Sequence, residues 1–102
     1  MIVKSKRKGG SVLVELIGEL DHHCAQTVKQ ELDKLIKDPN VSELVLDLSG
    51  LHFMDSSGIG VLMGRYKNLL GRGGRVCVKN VNSQVERIFS ISGLWRIIQK
   101  VG

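Results

Sequence analysis

Asp55, Ser56, Ser57 and Gly58 set a carboxylate, two hydroxyls and a glycine side by side, after Phe53-Met54 and before a run with helical periodicity. The first turn of a helix leaves backbone N–H groups without partners and carries partial positive charge. A hydroxyl there caps the helix, and a phosphate there is stabilised. The residues therefore admit two readings, a plain serine N-cap and a serine phosphorylated as a switch, and spacing alone does not separate them.

Other chemistry is poorly supplied. A nucleophile elbow needs Gly-x-Ser-x-Gly, and Met54-Asp55-Ser56-Ser57-Gly58 lacks the first glycine. His22, His23 and His52 offer bases, but nothing in their spacing assembles a triad. His22 and His23 are adjacent, whereas a helix-borne metal pair needs residues three or four apart. Gly71-Arg72-Gly73-Gly74 invites a phosphate-loop reading, yet it lacks the Gly-Lys-Ser/Thr ending and follows a helical pattern, so it reads as a helix stop. No enzyme, metal or cofactor is expected, and a kinase acting on Ser56 would be another protein.

The elements that position these residues follow from periodicity. With 102 residues, 42% hydrophobic and 25% charged, the chain suits one globular domain spanning 1–102. No apolar stretch approaches the roughly 18 residues of a membrane span and no signal core is seen, so a cytoplasmic chain is expected. Cys24 and Cys77 form no framework and read as reduced packing residues. Much of the net charge of +5 lies in Lys4, Lys6, Arg7 and Lys8, with more at Arg72 and Arg75. A nucleic-acid surface would add stacking aromatics, and Phe53, Phe89 and Trp95 lie within apolar patterns instead, so Lys6 to Gly10 reads as a solvated basic turn.

Ile2-Val3 and Ser11–Ile17 read as hairpin strands, the second ended by Gly18. Asp21 suits the N-cap of a helix in which Ala25, Val28, Leu32, Leu35 and Ile36 recur at helical spacing until Pro39. Val41–Leu48 reads as a buried strand, 58–70 as an amphipathic helix, Arg75–Lys79 as a further strand, and the stretch capped by Asn82 as a helix ending near Ser92-Gly93. The run 97–101 suits an edge strand or a terminal helix turn. The order β-β-α-β-α-β-α favours a mixed, partly parallel sheet covered by helices. Leu32, Val45, Leu46, Leu62, Val76, Val78 and Phe89 are expected in the core.

Asp55–Lys67, with Gly18-Glu19-Leu20-Asp21-His22-His23 upstream and Ser92-Gly93-Leu94 downstream, resembles the STAS domain of bacterial anti-sigma factor antagonists, in particular its sporulation branch. The resemblance covers nearly the whole chain. It implies an α/β STAS fold, a single domain with a mixed four- or five-stranded sheet flanked by helices. The family usually adds a further C-terminal helix beyond the point where this sequence stops. The resemblance also implies a partner that is both anti-sigma factor and ATP- or ADP-bound serine kinase. Ser56 matches the phosphorylated serine, and Ser57 and Gly58 match the helix start bordering the partner. Glu19 and Asp21 match the acidic loop that meets a basic kinase surface, and His22, Asp55 and Ile59 complete the implied partner face. A PP2C-type serine phosphatase is the implied reset, with no nucleic-acid or membrane partner and a free chain that is a monomer. General-stress antagonists share this fold and serine. Outside the family, a small phosphate- or nucleotide-binding domain would use the same helix N-terminus, and a nucleic-acid module would use the basic N-terminus with a steep salt dependence.

Overall fold

Ser11–Leu20 forms a long strand because its first half is rich in valine and leucine, and burial alternates along it at the strand period. Val12, Val14 and Leu16 are buried, whereas Ser11, Leu13 and Glu15 are only half-buried. This strand, β2, is the axis of the sheet. It pairs antiparallel with β1 (Ile2–Lys8) across the Gly9–Gly10 turn, and parallel with β3 (Glu43–Asp47) along its first half and β4 (Leu51–Met54) along its second. Beyond β3 lie β5 (Arg75–Lys79) and then β6 (Gln99–Lys100), both parallel to their neighbours. The computed structural model, which describes residues 1–102, thus holds a six-stranded mixed sheet in the order β1-β2-β3-β5-β6, with β4 on the far end of β2.

Three helices, α1 (Ala25–Ile36), α2 (Ser56–Leu70) and α3 (Ser83–Ser92), pack on one face of that sheet. α1 buries Ala25, Val28, Leu32 and Ile36, three or four residues apart, and so presents a single stripe to the core. These meet Leu62 and Leu69 of α2, Val85 and Phe89 of α3, and the inward residues of β2, β3 and β5 in one apolar cluster. Each fully buried Leu there contributes about 1.5–3 kcal/mol relative to exposure. Arg72 fixes the end of α1 by donating to the carbonyls of Ile36, Asp38 and Val41, while Arg7 and Arg75 pair with Asp38 and Glu43.

The structure corrects several expectations. The sheet includes a strand, β4, that is absent from the strands expected from periodicity. Gly18 does not end β2: with φ +120° it sits at a register shift beside Glu19, and the strand turns there to pick up β4. Lys6, Arg7 and Lys8 belong to β1 and not to a turn. Val45, expected in the core, is half-buried, because β3 points Leu44 and Leu46 at the helices and Val45 at the opposite, uncovered face. The other expected core residues, Leu32, Leu46, Leu62, Val76, Val78 and Phe89, are buried. Of the two options for the run 97–101 the edge strand is the one that forms, as β6, and a 3-10 turn over Leu94–Arg96 precedes it, with the Trp95 ring tilted against Phe89 at 4.6 Å.

Candidate functional site

The helix start that carries the paired serines is capped by Asp55, not by a serine. Asp55 has extended backbone (φ −100°, ψ −171°), and its Oδ1 accepts hydrogen bonds from Ser57 N at 2.9 Å and Gly58 N at 3.1 Å. Its own carbonyl accepts the first helical bond, from Ile59 N at 3.0 Å. Ser56 is therefore the first helical residue, its hydroxyl is not spent on capping, and it is exposed. Ser57 is half-buried on the side facing α1.

The second carboxylate oxygen of Asp55 ties the start of α2 to the β2–α1 loop. Oδ2 accepts from His22 N at 3.0 Å, and His22 Nδ1 lies 3.6 Å away. Parallel pairing of β2 with β4 sets Glu19 beside Phe53 and Leu20 beside Met54, and Asp55 N donates to Leu20 O. Burial alone would push the Asp55 carboxyl up. The N–H groups of Gly58, His22 and Ser57 and the His22 ring outweigh it and hold the group below the ordinary carboxylate range.

Gly58 is what lets α2 start this close to β2. It is buried, and a Cβ there would lie 2.4 Å from Leu20 O and 2.6 Å from Met54 Cγ, so no other residue fits without moving backbone. Ile59 packs half-buried against the core. Of the residues matched to a partner face, Glu19, His22 and Ser56 lie exposed around the same loop, Asp55 and Ser57 beneath them, and Gly58 serves close packing.

Asp21 departs from its expected role. The N-cap position of α1 is Cys24, which makes no side-chain cap bond, and the Asp21 carboxylate instead accepts from His23 N at 3.0 Å. The Asp21 carbonyl, not its side chain, receives Ala25 N. Phe53 was read as part of an apolar pattern, yet it is 41% exposed on β4 next to Glu19, an aromatic at the rim of the site. In the sequence its one signal is the polar His52 that precedes it. No three His, Cys, Asp or Glu side chains gather as a metal cluster, and no helix is long and apolar enough to cross a membrane.

Comparison with known proteins places this geometry. The STAS domain family matches residues 3–102. The anti-sigma F factor antagonist of Paenibacillus polymyxa is 41% identical over 96 residues, covering 94% of this chain and 82% of that protein. Among solved structures, the unphosphorylated anti-sigma factor antagonist SpoIIAA superposes with a TM-score of 0.85 at 28% identity, over 99% of this chain and 89% of that one. The Bacillus cell fate determinant SpoIIAA in its phosphorylated form gives 0.76 at 27% identity, over 99% and 92%. The chain belongs to the STAS-domain family of anti-sigma factor antagonists.

Proposed function

We propose that this STAS-domain antagonist works as a phosphorylation-controlled partner switch in the cytoplasm. Unmodified, the face formed by Glu19, Asp21, His22, Asp55, Ser56 and Ser57 docks on an anti-sigma factor that is also an ATP- or ADP-bound serine kinase, and the sigma factor is released. Phosphorylation of Ser56 by that kinase ends the interaction, and a PP2C-type phosphatase restores it. The sigma factor controlled belongs to the sporulation branch, a reading supported by the 41% identity to an anti-sigma F factor antagonist.

The observation that carries this reading is the division of labour at the start of α2. Asp55 takes the capping bonds, so the exposed Ser56 hydroxyl is free for transfer chemistry without loss of the helix start. A phosphate there adds roughly 1.5 to 2 negative charges at neutral pH. It would enter next to the Asp55 carboxylate, with the Ser57 and Gly58 N–H groups already taken. The expected effect is like-charge repulsion and a changed docking surface over a fold that stays intact.

The test is displacement of the sigma factor from its complex with the anti-sigma factor in ADP. The unmodified chain and Ser56→Ala should both displace it, with Ser56→Ala remaining active after ATP is added. Ser56→Asp should bind poorly, although one carboxylate copies only part of the charge and acceptor set of a phosphate. An inert unmodified chain would reject the proposal.

A further inference from the structure

Away from the serine face, α1 and α2 pack side by side and leave a cleft of about 550 Å3 between them. Its charge is lopsided: Lys29, Lys34, Lys37, Arg65 and Arg72 line it with Asp33 as the one carboxylate. Among these lining residues, Arg65 has a side chain only 8% exposed. Arg65 Nε faces Asp33 Oδ1 at 3.0 Å without the alignment of a hydrogen bond, and Nη1, also sealed from solvent, has no acceptor at all. The other Asp33 oxygen is engaged by Lys29 at 3.3 Å. The charge of Arg65 is thus paired while these two donors are not, and a buried guanidinium ordinarily has its donors matched. Arg65 also borders a smaller cavity of about 240 Å3 that continues toward the start of α2.

We propose that this cleft is a binding site for a phosphate-class oxyanion, seated on Arg65 and Lys29. The anion enters by displacing the Asp33 carboxylate from Arg65, half-buried Lys29 engaging that carboxylate's other oxygen, and it supplies acceptors to the guanidinium. Arg presents a planar fork suited to two oxygens of one phosphate, and Lys29 adds a mobile point charge. The site is separate from the Asp55–Ser56 loop and does not depend on Ser56 being a phosphoacceptor.

The test is titration of the full chain with potassium phosphate against potassium chloride at matched ionic strength, followed by 1H–15N NMR. Saturable shifts centred on Lys29, Asp33, Arg65 and Asn68, absent with chloride, are expected. Arg65→Gln and Lys29→Gln should each weaken binding roughly tenfold, the scale of a lost charge-assisted hydrogen bond. Asp33→Asn should tighten it, an effect that a merely structural ion pair does not produce. If Arg65→Gln does not fold, Lys29→Gln and Asp33→Asn decide the matter. A parallel titration with a phosphoserine dipeptide separates the sources: tighter binding than inorganic phosphate points to a phosphorylated chain, equal or weaker binding to the free anion. Linear, unsaturated shifts, shifts centred on the start of α2, or no change in the Lys29 and Asp33 variants would overturn the site.

Discussion

The starts of α1 and α2 lie against each other, joined through His22 and Asp55, and they are built differently. α2 begins with a carboxylate that accepts two first-turn N–H bonds and with a glycine pressed onto β2. α1 begins at Cys24 with no side-chain cap, and the nearby Asp21 carboxylate closes only its own turn through His23. One helix start is fixed on every side and the other is held mostly by backbone bonds. The rigid start is the one that presents the exposed serine. Asp55 and Gly58 carry the structural work, and Ser56 is left with none.

That contrast can be broken most forcefully at Gly58. Gly58→Ala puts a methyl group into the Leu20 carbonyl, and backbone cannot yield as a flexible side chain would. The expected loss is about 3 kcal/mol or more, as for overpacking of a closed site. Chemical denaturation measures it, and a loss below about 1 kcal/mol would mean that the helix start is not pressed onto β2.

Removal of the cap is the next largest effect. Asp55→Ala should lower the thermal midpoint by several degrees and free the β2–α1 loop, whereas Asp55→Asn, which still accepts hydrogen bonds, should lose less. The carboxyl of Asp55 lies below its ordinary range in the folded chain, so its contribution is present above the unfolded value, near 4, and is lost as pH falls through the folded value. The gap in midpoint between wild type and Asp55→Asn should therefore close on acidification below about pH 4. A gap constant from pH 7 to pH 3 would remove the charge of Asp55 from the account.

Asp21→Ala should show the smallest effect on stability, less than about 0.5 kcal/mol, because the helix bond at this position comes from the Asp21 carbonyl, which alanine keeps. A drop of 1 kcal/mol or more, the size of a lost side-chain cap, would erase the difference between the two helix starts. Binding to a basic kinase surface should nonetheless weaken, which separates the docking role of Asp21 from a folding role.

Legibility in the sequence followed the same divide. The amphipathic stripe of α1, the Asn82 cap of α3 and the β5 strand were readable because each is a local pattern, and Asn82 Oδ1 does accept Val85 N. The helix α2 was readable too, but its buried side is Gly58, Val61, Leu62, Arg65 and Leu69, while Met63 and Leu70 are exposed. Periodicity shows which residues of a strand alternate, but not that one face of the sheet has no helices over it, and so Val45 was misassigned. β4 has four residues and is a strand through its pairing with β2 at the register shift beside Gly18, a long-range contact with no local signature. At the site, an acidic residue followed by two serines reads as a cap, yet choosing between the side chains needs the backbone. Asp55 is extended and outside the helix, and Ser56 is already helical. Asp21 failed for the same reason in reverse: the chain makes a further turn through His22 and His23 before α1 begins.

The central claim is that Ser56, freed of capping, is the residue that carries the switch. Wild type, Ser56→Ala and Ser57→Ala are incubated with the purified kinase and ATP, and the added mass is located by peptide mapping. Phosphate is expected on Ser56 in wild type and in Ser57→Ala, and none on Ser56→Ala. Phosphate on Ser57, or an unmodified wild type, would contradict it.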